Sequence, residues 1–207
     1  DDETKEEDPL TFTTKRMSMN FNNSFFDGKL IFNWLNPIFK NENDNFKRLR
    51  LAASYLAELS YWHNFKDIES DYALNTVLYY PFLSLTHEQR IFLGLSIYTA
   101  CGGKANNPNF IKYSKLLKKD AINAAGILGN GIKLAYLVSG GLYKNLSDYS
   151  LRVSNNEIFL PKRCLMALLE GDKLGGDKRG RMSASIIYSI PNNKIMTLRI
   201  DHSKNPV

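Results

Sequence analysis

The stretch Arg48–Asn64, "RLRLAASYLAELSYWHN", restricts the possible folds more than any other. At helical spacing Leu49, Ala52, Ala53 and Leu56 line one face, while Leu51, Tyr55, Leu59 and Trp62 line another. A helix that is apolar nearly all round cannot lie on a surface and needs neighbours on several sides. The chain must therefore build a helical bundle around this segment. Its 207 residues, 43% of them hydrophobic, suffice for such a core.

The neighbours can be read off in order. "GKLIFNWLNPIF" from Gly28 predicts a short helix ending near Asn36, because Pro37 disfavours helical geometry in the residue before it. "DYALNTVLYYPFLSL" predicts another through about Tyr80, stopped by Pro81. Thr86 with Gln89 three residues on is a capping box for the next, and "CGG" at Cys101–Gly103 supplies a glycine for a left-handed cap. In "NFIKYSKLLKKDAINAAGILGNGIKLAYLVSGG" an apolar stripe through Tyr113, Leu116, Leu117, Ala121, Ala124, Ala125 and Leu128 resumes at Ile132, Ala135 and Tyr136. The intervening Gly129-Asn130-Gly131 predicts two packed helices or one with a kink.

Beyond "SGG" the period becomes strand-like: Leu151 and Val153, an Asn-Asn turn, then Ile158 and Leu160. A short helix around Leu165–Leu169 and a hairpin about Pro191–Asn193 should follow. The expected fold class is mainly α, a helical domain over 25–145 followed by a small α+β lobe over 146–207. Residues 1–24 open with "DDETKEED" and show no hydrophobic period before Phe25, so they read as an acidic flexible linker. A chain beginning in a linker fits a C-terminal piece of something longer.

A formal charge of +6 conceals an asymmetry. The first eight residues hold six acids and one lysine, leaving 26 basic and 15 acidic side chains in the rest. Residues 111 to 207 carry 16 basic against 7 acidic, so a polyanion should meet the second half first. Lys112, Lys115 and Lys119 recur at i, i+3 and i+7 with no acid between them, which on one helix puts three like charges on a face. A bound anion would relieve that repulsion, on the order of a few tenths of a kcal/mol per pair. Lys118, Lys133, Arg152, Lys162 and Arg163 could extend the stripe; the alternative is an ordinary solvated face.

Arg48 and Arg50 head the central helix, and His87 and Arg90 fall in the first turn of the helix that Thr86 caps, where free amides favour phosphate oxygens. The alternative is structural, with Arg90 pairing with Glu58 or Asp71. Tyr61, Trp62, Tyr79 and Tyr80 fall next to Leu and Ala, apart from the lysines, and read as core or interface. Cys101 and Cys164 have no zinc-like spacing and suit a reducing, cytoplasmic setting. The longest apolar run, "IFLGLSIYTAC", is too short to span a bilayer, and no membrane partner is expected. "EGDKLGGDKRGR" lacks the GxxxxGK[ST] spacing and reads as a mobile basic loop.

Taken in order, "IFNWLNPIF", "RLRLAASYLAEL", "SLTHEQRIFLGLSIY", "LGNGIKLAYLVSGG" and "LRVSNNEIFLP" resemble the C-terminal region of the Ppx/GppA family of exopolyphosphatases and guanosine pentaphosphate phosphohydrolases. The resemblance covers roughly residues 28–162 and implies an HD-like helical bundle that follows an actin-like phosphatase domain. The family's phosphate loops, catalytic glutamate and magnesium site lie in that upstream domain. It follows that this chain should hold no catalytic residue, no metal and no cofactor, with Mg2+ required by the parent enzyme. Where an active HD centre would carry a metal-binding His-Asp pair, this chain has Ala57 and Glu58. Ala57 has no lone pair, and His63, Asp67, Asp71 and His87 would have to complete an unconventional shell.

The implied role is binding of polyphosphate or guanosine pentaphosphate beside an upstream catalytic domain of the same polypeptide, in a homodimer. An autonomous metal-dependent HD-type phosphohydrolase and a nucleic-acid-binding helical module are the competing readings. The last forty residues depart from the charged helix that ends family members and read instead as a hairpin.

Overall fold

Residues 49–59 of the segment that is apolar on all sides are largely buried among the other helices. The computed structural model describes residues 7–19, 27–60, 69–140, 142–154, 157–161, 187–189 and 194–201. Within them the helices are α1 (Pro9–Met19), α2 (Gly28–Trp34), α3 (Asp44–Leu56), α4 (Glu69–Tyr79), α5 (His87–Ala100), α6 (Pro108–Ser114) and α7 (Lys119–Ser139). Short 3-10 segments follow α3 at Ala57–Ser60 and α7 at Tyr143–Asp148. The strands are β1 (Arg152–Ser154), β2 (Glu157–Pro161), β3 (Ile187–Ser189) and β4 (Lys194–Asp201). The architecture is thus mainly α, a helical bundle followed by a small lobe that contains the sheet.

Helix α3 packs against α1, α2 and α5, and α5 in turn packs against α4 and α7. Leu49, Ala52, Ala53 and Leu56 of α3 join Leu93, Leu95 and Ile97 of α5 and Ile127, Leu128 and Ala135 of α7 in one buried cluster. The boundary signals act as the sequence predicts. Thr86 and Gln89 form both halves of the capping box, and Gly102 follows α5 at φ +81°.

Two segments depart from expectation. Residues 9–19 of the supposed linker form α1, which packs on α3. Asp8 caps it through the Thr11 amide at 2.9 Å, and Pro9 occupies the first helical position, where a missing N–H costs nothing. The buried face is Leu10, Thr14, Met17 and Ser18, half of it polar. Thr14 can be buried because its hydroxyl donates to the Leu10 carbonyl at 2.9 Å. That polar content hides the helix from a search for hydrophobic period.

The second departure is at α7, where the two-helix alternative fails: one helix of 21 residues runs through Gly129-Asn130-Gly131. The glycines allow close packing here and do not break the helix. A Cβ on Gly129 would lie 2.4 Å from the Ser96 carbonyl oxygen, and one on Gly131 would lie 3.0 Å from Leu35 Cδ2. Length and composition would let α7 cross a bilayer, but much of it is buried against the other helices.

The sheet order is β1-β2-β4-β3. β1 and β2 pair antiparallel with Ser154 opposite Glu157, β2 and β4 run parallel, and β3 and β4 form the expected hairpin with Ser189 opposite Lys194. Ile158 and Leu160 of β2 join the helical core, and β3 lies against α7. The expected helix at 165–169 and the glycine-rich basic loop at 170–181 lie outside the described residues, as do Tyr61, Trp62, His63, Asp67, Lys162, Arg163 and Cys164.

Candidate functional site

Arg48, Arg50 and Arg90 are each engaged by oxygens of the fold. Arg50 is 1% exposed. Its Nε donates to Glu42 Oε2 at 2.7 Å, Nη2 donates to Glu42 Oε1 and to Asn36 Oδ1, and Nη1 reaches the Phe32 carbonyl at 2.6 Å. The guanidinium also lies 3.8 Å from the centroid of the Phe32 ring. Because Pro37 stops α2 early, its last carbonyls need a donor from elsewhere, and Arg50 provides one. Every edge of the fork is occupied, so Arg50 is a structural clamp and not part of an anion site.

Arg90 answers the same need at the end of α4. It donates to the carbonyls of Leu78, Tyr80 and Phe82, the last at 3.0 Å, where Pro81 ends the helix. The expected carboxylate partner, Glu58 or Asp71, is replaced by these carbonyls. Arg48 bridges α3 to α1, donating from Nε to Asp8 Oδ1 at 2.8 Å and from Nη2 to the Ser84 hydroxyl at 2.8 Å. Ser84 has φ +68°, a left-handed conformation that favours glycine, and the Arg48 bond helps hold it there. Burial would raise the Asp8 carboxyl, but bonds from the Thr11 amide and hydroxyl and from Arg48 outweigh it and hold the group below its ordinary value. His87 is exposed at the start of α5, whose capping box already engages the Gln89 amide.

The lysines behave differently. Lys112 belongs to α6, Lys115 is its C-cap, Lys118 precedes α7 and Lys119 opens it. The single-helix stripe is therefore an elbow between two helices. The Leu116 and Leu117 amides turn back to the Tyr113 and Ser114 carbonyls, and the chain is extended at Lys118, where ψ is 150°. Asp120 in the first turn of α7 suits the start of a new helix. All four lysines are exposed, and none takes part in an ion pair among the described residues. Lys133 stands apart, 14 residues further along α7, which is about 21 Å at helical rise. Its Nζ lies 3.6 Å from where a Cβ on Gly102 would sit, at the C-terminal end of α5. Arg152 on β1 covers the Phe159 ring at 5.1 Å.

The elbow is fixed from behind. Gly103 must be glycine because a Cβ there would lie 2.2 Å from the Tyr98 ring, and the Tyr98 hydroxyl donates to the Lys104 carbonyl at 3.0 Å. Burial, aided by the charge of Asp71, pushes the Tyr98 phenol up, so it stays a donor. Asn107 caps α6 through the Asn109 amide at 2.8 Å, with Pro108 next, and its Nδ2 reaches Asp71 Oδ2 at 3.4 Å. The start of α6 therefore lies near the start of α4. The Tyr79 phenol at the end of α4 is pushed up, chiefly by the neighbouring Tyr113 hydroxyl, and the Tyr113 ring has the Lys112 ammonium 5.1 Å from its centroid. Tyr79 is exposed, which leaves the interface reading and not the core one, and Tyr113 meets the basic stretch along the chain, beside Lys112. The i, i+7 spacing of Tyr72 and Tyr79 on α4 was the available signal.

Ala57 and Glu58 are both buried where α3 ends. Among the described residues no group of three or more His, Cys, Asp or Glu side chains could hold a metal ion. The fold and this surface define a basic, mainly α domain with four exposed lysines clustered at one helix elbow.

Residues 33–184, most of the chain, match the family described as "Exopolyphosphatase, C-terminal". The chain belongs to that family, and its sequence corresponds to a C-terminal part of an exopolyphosphatase. A search of curated proteins finds no match to it.

Proposed function

We propose that this chain holds the distal part of a polyphosphate on the α6–α7 elbow, while hydrolysis, with its Mg2+, belongs to an upstream domain of the same polypeptide. The observation that carries this is the cluster Lys112, Lys115, Lys118 and Lys119, exposed and unmatched by any acid between them. Each remote contact lowers the chance that the polymer leaves between cleavages, so the binding energy serves processivity and not the chemical step. A homodimer in the cytoplasm would present two such elbows to one polymer. Guanosine pentaphosphate shares the phosphate chemistry but offers a shorter track.

Titration with labelled polyphosphates of increasing length tests the reading. Affinity should rise with chain length, and log affinity should fall against log salt with a slope of about −3 if all four lysines release counterions. Equal binding of short and long chains, or none at low salt, would sink it.

A further inference from the structure

Helix α6, with its C-cap Lys115, carries half of the lysine cluster, yet none of its seven residues is fully buried. Two turns of helix do not hold together alone in water, and the apolar purchase of α6 on the bundle is partial, through Phe110 and Tyr113. Polar contacts at its start supply the rest. The Tyr98 hydroxyl of α5 donates to the Lys104 carbonyl at 3.0 Å, and Asn107 Nδ2 donates to Asp71 Oδ2 of α4 at 3.4 Å. The Tyr98 ring also meets the Phe110 ring, with centroids 5.6 Å apart. Asn107 thus has two duties, its Oδ1 capping α6 through the Asn109 amide while its Nδ2 reaches across to α4. Stability alone does not account for Asp71. Its other oxygen, Oδ1, is buried with no hydrogen-bond partner among the described residues, a costly arrangement for a carboxylate.

We propose that Tyr98, Asn107 and Asp71 are positioning residues of the elbow, fixing the start of α6 so that Lys112 and Lys115 keep a set spacing from Lys118 and Lys119. The inference rests on the polyphosphate reading of the elbow. Lysine arms are long and flexible, so this brace controls where their roots stand and not where each ammonium points. A helix of seven residues is about 10 Å long, and a tilt of about 20° at its start would carry its far end about 4 Å sideways. With the roots held, one polymer engages all four ammonium groups at little cost in ordering. With α6 loose, part of the binding energy goes into ordering it. The role of Asp71 is opposite in sign to its charge: Coulomb attraction alone would make loss of this acid strengthen polyanion binding, whereas loss of the brace weakens it.

The test is titration of the whole chain with a long labelled polyphosphate over a range of salt, for the parent and for Tyr98→Phe, Asp71→Ala and Asp71→Asn, each well below its melting midpoint. Tyr98→Phe keeps the ring and the net charge and removes one hydroxyl. In Tyr98→Phe and Asp71→Ala the slope of log affinity against log salt should drop from about −3 to about −1.5, as two lysines of the four stop acting together, with affinity about tenfold lower at low salt. Asp71→Asn keeps an acceptor for Asn107 without the charge and should bind at least as tightly as the parent. A merely structural role would lower the melting midpoints and leave the slope near the parent's, and that result overturns the proposal. Tighter binding by Asp71→Ala, or weaker binding by Asp71→Asn, overturns it equally. Should Asp71→Ala fail to fold, Tyr98→Phe decides alone. No binding by the parent sinks the polyphosphate reading and the brace with it, whereas a binding parent with unaltered variants sinks the brace alone.

Discussion

Two basic regions of this chain look alike as sequence and differ completely in the fold. Around α3 and the start of α5 the cations are guanidinium groups, and Arg48, Arg50 and Arg90 each bind several internal oxygens. Around the α6–α7 elbow the cations are ammonium groups facing solvent. The difference follows from what lies within reach. α2 and α4 both stop near a proline and leave carbonyls without helical donors, and a planar fork with five N–H groups can serve several of them at once. The elbow offers its lysines no such orphan oxygens. A count of basic residues thus overstates the charge available to a ligand, and the surplus is arginine.

The contrast is most easily broken at Arg50. Arg50→Ala should destabilise the chain by about 3–5 kcal/mol, because it strands a buried Glu42 carboxylate and the Phe32 carbonyl together. A shift in urea midpoint worth less than about 1 kcal/mol would show that Arg50 is a surface cation after all. Next in size is Asp8→Ala, which removes the α1 cap and the partner of Arg48, at a cost of about 1 kcal/mol near neutrality. The Asp8 carboxyl is held below its ordinary 3.8, so its contribution is present above that value and is lost as the pH falls through the lower folded one. Parent and variant should therefore converge in acid, and a gap in stability that persists there would remove the electrostatic part of the explanation. The smallest effect is expected for Lys→Gln at 112, 115, 118 and 119 together, within about 0.5 kcal/mol of the parent in thermal unfolding. A larger loss would mean that the elbow lysines are structural too.

What could be read from the sequence depended on whether the deciding partner was close along the chain. The capping box at Thr86 and Gln89, the glycine after α5 and the break before Pro81 are local signals, and all three stand in the fold. The hairpin at the end was equally local. α1 was missed because two of its four buried side chains are polar, although Asp8-Pro9 is itself a helix-start signal. Gly129 was misjudged because its reason lies in α5, thirty-three residues earlier at Ser96. For the same reason nothing in "RLR" separates Arg50 from Arg48, since the carboxylate that claims Arg50 depends on how α2 returns to α3. The lysine cluster was legible as charge but not as an elbow, because the extended backbone at Lys118 leaves no mark in residue type.

The uninterrupted course of α7 has a mechanical consequence. Its 21 residues make a strut about 31 Å long, with Lys119 at one tip and Ser139 at the other. Beyond that tip Gly140, at φ +61°, is the first joint. Tension applied at the lysine tip would travel lengthwise along the helix toward β3, which lies against it.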